Sequence, residues 1–290
     1  MHEAVMVNEV LDNLILDNQG HYLDCTYGMG GHSKAMLNKL SLKGCLHVMD
    51  RDPYSTQLAQ NLADRDKRVN VIKDSFSNIH NYFKMTSING VLFDLGISSY
   101  QLDTSHRGFS FQSEGPLDMR MDQSQGLSAS EWINVANEKE ITEVLWTLGE
   151  ERHSRRIAKA ICKRRVRKSI DNTRELADLI VDSVPRISKR HPATNSFRAI
   201  RMFINQELEE LREGLEEVAS ILLPGARMAI ISFHSIEDRV AKRFIQGKDR
   251  RRSEIKFKLI SGKPFMPELS EVKKNPRSRS AVLRIAERLM

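Results

Sequence analysis

The sequence predicts an α/β protein with a parallel, doubly wound sheet and an inserted all-helical segment. Two observations lead to this fold class. Short β-rich segments alternate with helical patterns over about the first hundred residues, which is typical of strands joined by helical crossovers. The alternation then stops for about another hundred residues and resumes near residue 227. We therefore predict an α/β domain made of residues 1–104 and 206–290, and a helical domain made of residues 105–205.

The first half of the chain contains four predicted strands. They cover residues 22–26, 45–49, 69–72 and 91–95. A helix is predicted over 32–40, directly after the first strand. Pro53 opens the next helix, because its fixed φ and missing N–H suit the first helical position. Ligands of such sheets bind at the carboxyl ends of the strands.

The middle of the chain is predicted to be helical. Ser128 and Glu131 form a capping-box signature at the start of one helix. Two further helices are predicted over 150–166 and 173–184. This stretch contains almost no β-rich segment, which is why we assign it to a separate helical domain.

The last third returns to the α/β pattern. Apolar residues three or four positions apart predict one long amphipathic helix over 197–222, ended by the Pro-Gly pair at 224–225. A strongly apolar strand follows over 227–233. Segments 255–260 and 281–285 are predicted to form a closing pair of strands. The helical domain is thus inserted between the fourth and fifth strands.

The composition excludes several classes of protein. Of the 290 residues, 40% are hydrophobic, so the chain can build a buried core. No apolar run reaches the roughly 18 residues of a membrane span, and the first residues are predicted to be neither a signal nor a transit peptide. The three cysteines form no CxxC pair, which predicts neither a disulfide framework nor a metal site and favours the cytoplasm.

The net charge of +7 favours a polyanionic partner. Between Arg152 and Lys168 there are nine Lys or Arg and no Asp or Glu. A charge run is often only a solvated face, but nine uncompensated charges favour a nucleic-acid backbone. Clusters at 248–252 and 273–279 have the same sign. On a helix, the candidates for RNA contact are Arg155, Arg156, Lys159, Lys163 and Arg167.

A glycine-rich loop follows the first predicted strand. Gly28, Gly30 and Gly31 allow a ligand to approach the backbone closely, and the helix that begins near His32 presents free N–H groups. Ser33 stands where the dinucleotide fingerprint needs a third glycine, which weakens an NAD interpretation. An ordinary turn is the alternative.

Residues after the next three strands complete a candidate cofactor pocket. Asp50 ends the second strand and can accept hydrogen bonds from ribose hydroxyls, whereas Asp52 is predicted to cap a helix. Phe76 follows the third strand, where it either covers an adenine ring or packs in the core. Asp94 interrupts an apolar strand, and a buried carboxylate without a partner is costly, which favours a site residue. Together these residues fit S-adenosylmethionine better than NAD.

Seven strings spread along the chain carry a more specific signal. They are GGHS at 30–33, FDLGISS at 93–99, RGFSF at 107–111, GPLDMRMD at 115–122, HPAT at 191–194, SFHSIEDR at 232–239 and NPRSRS at 275–280. In this order they resemble the bacterial 16S ribosomal RNA cytosine-N4 methyltransferases, the RsmH or MraW family. The resemblance implies a class I, Rossmann-like S-adenosylmethionine methyltransferase fold with a helical insert. It also implies methyl transfer to N4 of the decoding-centre (P-site) cytidine of 16S rRNA within the small ribosomal subunit.

The resemblance implies site residues as well. The cofactor contacts of the family correspond to Gly30, Gly31, His32, Asp50, Phe76, Asp94 and Gln101. Asp94 and His234 are the catalytic candidates, with a cofactor role for Asp94 and a structural role for His234 left open. Further RNA-binding candidates, which could close over the cytidine, are Asn275, Arg277 and Arg279.

The chain departs from the family pattern at three positions. Ala4, Tyr100 and Asn195 stand where members usually have Pro, Pro and Arg.

The sequence also bears on other functions. A DNA amino-methyltransferase would carry a Pro-Pro-aromatic motif where ISSY stands at 97–100. No cysteine is placed as the nucleophile that cytosine C5 methylation needs. An RNA-binding assembly factor without turnover is the remaining alternative, and a homodimer is left open.

Overall fold

Seven strands form one mixed sheet in the computed structural model, which describes residues 4–185, 191–252 and 254–290. The strands are β1 (His21–Asp24), β2 (Cys45–Asp50), β3 (Val69–Lys73), β4 (Ile88–Asp94), β5 (Leu222–Ser232), β6 (Phe257–Leu259) and β7 (Val282–Arg288). Their order across the sheet is β3-β2-β1-β4-β5-β7-β6. The first five strands are parallel, whereas β7 is antiparallel to both β5 and β6. This is the sheet of a class I methyltransferase, so the predicted fold class is confirmed.

The helices follow the predicted alternation. They are α1 (Val7–Leu14), α2 (Gly31–Lys39), α3 (Pro53–Arg65), α4 (Ser99–Asp103), α5 (Ala129–Val135), α6 (Glu138–Thr147), α7 (Ser154–Arg165), α8 (Thr173–Ser183), α9 (Ala193–Ile204), α10 (Glu207–Ile221), α11 (Ser235–Ile245) and α12 (Leu269–Lys274). Pro53 opens α3, and the capping box of α5 is formed between Ser128 and Glu131, as predicted. The sequence analysis identified neither α1 nor α12.

The chain divides into two compact units. The α/β unit comprises residues 1–97 and 208–290, and the helical unit comprises residues 98–207. In the α/β unit, separate apolar cores cover the two faces of the sheet. Val91, Leu92 and Phe93 of β4 are all fully buried, because a central parallel strand is covered on both faces. Within the described residues, no helix is both long and apolar enough to cross a membrane.

The prediction of one long helix over 197–222 is wrong. The chain leaves the helical conformation between α9 and α10, where Gln206 has a φ of 51°. The side chain of Asn205 fixes this break: its amide donates to the carbonyl of Met119 at 2.7 Å, and its oxygen accepts from the N–H of Met121 at 2.8 Å. The apolar spacing continues across the break, so the sequence pattern alone does not reveal it.

The prediction that the Pro-Gly pair ends a helix is also wrong. α10 ends at Ile221, and Pro224 and Gly225 lie inside β5 as exposed residues. The register between β4 and β5 shifts between Ile88 and Gly90. Such an irregularity leaves backbone groups out of the ladder, which is where a strand tolerates proline.

Candidate active site

Three carboxylates lie along one edge of the sheet. Asp50, Asp24 and Asp94 are the last residues of β2, β1 and β4, which are consecutive strands in the sheet. Since these strands are parallel, their carboxyl ends meet at the same edge. The sequence analysis singled out Asp50 and Asp94 but overlooked Asp24, which lies within the predicted first strand at 22–26 and outside the motif strings.

The loop from β1 to α2 needs its glycines for reasons of backbone geometry. Gly28 and Gly30 have φ values of 54° and 74°, a region that L-residues rarely adopt. A Cβ at Gly30 would lie 2.5 Å from the hydroxyl of Tyr27, and one at Gly31 would lie 2.8 Å from the Cβ of Ala4. Among the described residues, the N-cap Gly30 provides no side-chain cap for α2, and the backbone N–H groups at a helix start can bind an anionic group.

Asp50 holds this loop in place. Its Oδ2 accepts from the N–H of Gly28 at 2.8 Å, and its Oδ1 accepts from the N–H of Asp52 at 2.9 Å. Burial raises the pKa of Asp50 to about 6, although both hydrogen bonds oppose the rise. Asp52 caps α3 by accepting from Tyr54 at 2.9 Å, which confirms its predicted capping role.

Asp24 connects the loop to the helix and to the central strand. Its carboxylate accepts from the hydroxyl of Ser33 at 2.6 Å and from the N–H of Thr26 at 3.1 Å. The hydroxyl of Thr26 in turn accepts from the N–H of Asp94 at 2.7 Å. Burial raises the pKa of Asp24 to about 6. Ser33, which stands in place of the third glycine of the dinucleotide fingerprint, is therefore a hydrogen-bond partner of the buried Asp24 carboxylate.

Asp94 is the most perturbed of the three carboxylates. Burial raises its pKa to about 8, and the charges of Asp24 and Glu237 add to the rise. Its Oδ2 lies 3.6 Å from Nε2 of the buried His32. Its Oδ1 is buried and has no hydrogen-bond partner within the described parts of the chain. A buried acceptor without a partner is costly, and it marks a place where a donor or a cation binds.

His234 has a structural role at the start of α11. Its Nδ1 accepts from the N–H of Glu237 at 3.4 Å, while Glu237 Oε2 accepts from the N–H of Phe233 at 3.0 Å. The side chains of His234 and Glu237 are only 7% and 4% exposed. This reciprocal cap is one of the two roles left open for His234, and its catalytic role stays a prediction. Glu237 was overlooked, although its position three residues after a capping residue is a recognisable signal.

Phe76 packs against the core. Its ring meets that of Phe93 edge to face at 5.3 Å. Gly214 of α10 makes room for it, since a Cβ there would lie 2.5 Å from Phe76 Cδ2. The side chain is half-buried, so one part of it is accessible. Contact with an adenine ring stays a prediction.

Gln101 belongs to the helical unit, whereas the other cofactor candidates belong to the α/β unit. It is buried in α4, where its Oε1 accepts from the N–H of Ser98 at 3.0 Å and its own N–H donates to the hydroxyl of Ser98. This capping box stabilises a short helix. The family's cofactor role for Gln101 stays a prediction.

All five predicted cations are exposed, but only four of them lie on α7, because the helix ends at Arg165 and Arg167 follows it in a turn. Arg155, Arg156, Lys159, Lys163 and Arg167 are all exposed, while Ile157 and Ile161 are buried on the opposite face. The sequence analysis expected the positive charges of this run to be uncompensated, but two of them are paired with a carboxylate. Glu175 pairs with Lys168 at 2.7 Å and with Arg164 at 3.6 Å.

Glutamates offset part of the charge of the cluster at 248–252. Arg251 and Arg252 form ion pairs with three glutamates of α10, namely Glu209, Glu213 and Glu217. These pairs weaken the argument for a polyanion contact at this cluster, which stays a prediction. At the other cluster, Arg277 and Arg279 are exposed, and Asn275 caps their short 3₁₀ turn.

The carboxylate edge suits a cationic ligand. A positive charge that binds among three neighbouring carboxylates reduces their mutual repulsion and offsets the cost of ionising them in a buried place, which is the cost that raises their pKa values. S-adenosylmethionine carries a sulfonium and an ammonium group, so the residues fit it. The pyrophosphate of NAD would add negative charge to the same edge, which agrees with the expectation that NAD is not the ligand.

Comparisons with known proteins agree with this interpretation. Residues 1–289 match the model of the MraW methylase family. Two relatives, each called "Ribosomal RNA small subunit methyltransferase H", are 46% identical to the chain. The one from Xanthomonas euvesicatoria aligns over 99% of this chain and 89% of its own length, and the one from Hamiltonella defensa over 99% and 98%. A crystal structure of a putative rRNA-methylase from Clostridium thermocellum is 10% identical, covers 98% of this chain and 93% of its own, and has a TM-score of 0.46.

Proposed function

We propose a specific reaction for this chain, which belongs to the MraW methylase family: transfer of a methyl group from S-adenosylmethionine to the N4 amine of the P-site cytidine of 16S rRNA in the small ribosomal subunit. Its cofactor is S-adenosylmethionine. The substrate follows from the motif resemblance and from the relatives' name, which specifies ribosomal RNA of the small subunit. The observation that carries the chemistry is the buried, unpartnered Oδ1 of Asp94 at the end of a central strand.

Residues of the α/β unit hold the cofactor in this proposal. Asp50 supplies acceptor lone pairs for the ribose hydroxyls while its two backbone bonds keep the loop shaped. The N–H groups at the start of α2, around Gly31 and His32, attract the carboxylate of the methionine moiety. The accessible part of the Phe76 ring covers the adenine. Gln101 completes the set inferred from the family.

Bound S-adenosylmethionine supplies a methyl group on a positively charged sulfur. The N4 amine of cytosine is a weak nucleophile, because its lone pair is delocalised into the ring. Asp94 Oδ1 accepts an N–H of that amine and orients its lone pair toward the methyl carbon. One C–S bond breaks, one C–N bond forms, and the amine loses one proton to Asp94 or to water. Asp94 must be ionised to accept this proton, and the positive charge on the nearby sulfur promotes its ionisation.

The basic face of α7 binds the rRNA backbone in this proposal. Arg155, Arg156, Lys159 and Lys163 are exposed on α7, and Arg167 is exposed in the turn after it, as a phosphate-binding surface requires. Asn275, Arg277 and Arg279 add contacts near the cytidine. The helical domain, predicted over 105–205, then serves substrate recognition, and the remaining α/β domain serves methyl transfer.

Transfer of labelled methyl from S-adenosylmethionine to small subunits that lack the modification tests the proposal. Naked 16S RNA and DNA run in parallel, and mass spectrometry identifies the product nucleoside. We expect N4-methylcytidine at a single site on the subunits. N3- or C5-methylated products would contradict the assigned amine, and methylated DNA would contradict the substrate class. Cofactor binding without transfer to any RNA would favour an assembly factor without turnover.

A further inference from the structure

A second cluster of polar side chains lies at the opposite edge of the sheet, where β1 and β2 begin. His21 is the first residue of β1, and Cys45 and His47 are the first and third residues of β2. His21 pairs with Cys45 in the parallel register. Since residues two apart on a strand share a face, all three side chains project from the same face of the sheet.

The potential ligand atoms of these residues are close together. Sγ of Cys45 lies 3.5 Å from Nε2 of His47, and one ligand atom from each of the three residues lies within 4.8 Å of the others. Bonds of about 2.0 to 2.3 Å place two ligands of a tetrahedral zinc ion about 3.3 to 3.6 Å apart. The Cys45–His47 pair already has this separation. His21 is exposed at the strand end, so a rotation of its side chain brings the third ligand to the same distance.

Neighbouring residues hold two of the ligands in position. The side-chain amide of Asn70 donates to Cys45 Sγ at 3.0 Å, as an outer-shell partner of a metal-bound sulfur does. The ring of Phe83 meets that of His47 edge to face at 4.9 Å.

We propose that His21, Cys45 and His47 bind one zinc ion, with a fourth position open to water. Two imidazoles and one thiolate form a ligand set that zinc accepts, and Cys45 loses its thiol proton when the Zn–S bond forms. The site lies at the amino edge of the sheet, away from the three carboxylates at the carboxyl edge. Bound zinc therefore ties β1 to β2 as a structural ion and takes no part in methyl transfer.

The sequence expectation of no metal site depended on the absence of a CxxC pair. Here one ligand comes from β1, and the other two come from a Cys-x-His alternation on β2. Such an alternation is common in strands without any metal. Only the register between β1 and β2 gives it a third ligand.

Titration of the metal-free full-length protein with Co²⁺ tests the proposal. We expect one equivalent of Co²⁺ to produce a thiolate-to-cobalt charge-transfer band and the intense visible bands of tetrahedral cobalt, and Zn²⁺ to abolish both. Cys45→Ser should eliminate the charge-transfer band. Cys162→Ser is the matched control, since Cys162 is an equally half-buried free cysteine on α7, and it should leave the band intact.

A histidine variant keeps the test decisive if Cys45→Ser folds poorly. His21 is exposed, so His21→Gln should fold normally while its affinity for zinc falls at least tenfold; the exposed His106→Gln is the control. Zinc should raise the Tm of the wild type and of His106→Gln by a few degrees, and that of His21→Gln far less. Absence of the charge-transfer band, or a band that survives in Cys45→Ser, would overturn the proposal.

Discussion

The carboxyl edge of the sheet and the outer face of α7 carry opposite charges and are built differently. At the sheet edge, Asp24 and Asp94 are held by short, specific contacts, and burial raises their pKa values. On α7, Arg155 and Lys159 are exposed to solvent. The comparison indicates that each buried charge acts individually and strongly, whereas the exposed charges act together, weakly and in a salt-dependent way.

Loss of the central carboxylate is expected to have the largest effect. Asp94→Asn keeps the shape of the side chain but replaces the carboxylate by a neutral amide, which accepts from the N4 amine more weakly and cannot take its proton. We expect methyl transfer to fall about a thousandfold in kcat, within the range of general acid–base effects. The RNA concentration for half-maximal rate should change little. A variant with wild-type kcat would show that Asp94 does not act on the substrate.

The second prediction concerns cofactor affinity. Asp50→Ala removes the acceptor of two backbone hydrogen bonds and of the ribose, so the Kd of S-adenosylhomocysteine should rise about a hundredfold. Asp74→Asn is the matched control. Asp74 follows β3 near the same edge, but its carboxylate is bonded to Asn78 and Tyr82. Calorimetric titration measures the Kd of both variants. Equal losses of affinity in Asp50→Ala and Asp74→Asn would contradict a specific role for Asp50.

The third prediction concerns the stability of the cofactor-free protein. The pKa of Asp94 is raised from 3.8 to about 8, so the folded state retains a proton that the unfolded chain releases. This residue therefore destabilises the fold as pH rises from about 4, with the full penalty reached above pH 8. Asp94→Asn should be more stable than the wild type by several kcal/mol at pH 8, with about 5 kcal/mol as the value for a shift of four pKa units, and the difference should vanish near pH 4. Chemical denaturation at both values measures it.

The smallest effect is expected on α7. Replacing Arg155 and Lys159 together by Ser should weaken binding to 16S rRNA about tenfold and reduce the slope of log K against log salt by about 1 to 2. Lys139 and Arg174 are exposed cations on other helices of the same unit, and their double replacement is the control. Equal losses in both double variants would mean that charge, rather than this face, determines binding.

Local patterns predicted much of the α/β unit. Strand alternation, Pro53 at the start of α3 and the acids at strand ends are visible in short windows of sequence. The break at Asn205 is not, because its partners Met119 and Met121 lie more than eighty residues away. The glutamates that pair with Arg251 are also distant in sequence, since Glu213 and Glu209 lie 38 and 42 residues away.

The candidate site was predicted only in part, for a related reason. A motif gives residue types at fixed spacing, and this singled out Gly30, Asp50 and Asp94, whose cofactor roles stay predictions. It does not give the pairing of Asp24 with Ser33, which arises only when β1 and α2 pack together. Nor does it separate the two roles of His234, whose cap with Glu237 depends on the turn geometry.

Proton release on cofactor binding tests the central claim most directly. With a pKa of about 8, Asp94 is largely protonated at pH 7 in the free protein, and a cation bound nearby should expel that proton. Calorimetric titration with S-adenosylmethionine in two buffers of different ionisation enthalpy measures the number of protons released. We predict a net release of more than half a proton at pH 7 for the wild type, and a clearly smaller release for Asp94→Asn. Equal release by both proteins, or none by either, would contradict the claim that the cationic cofactor binds at the carboxylate edge.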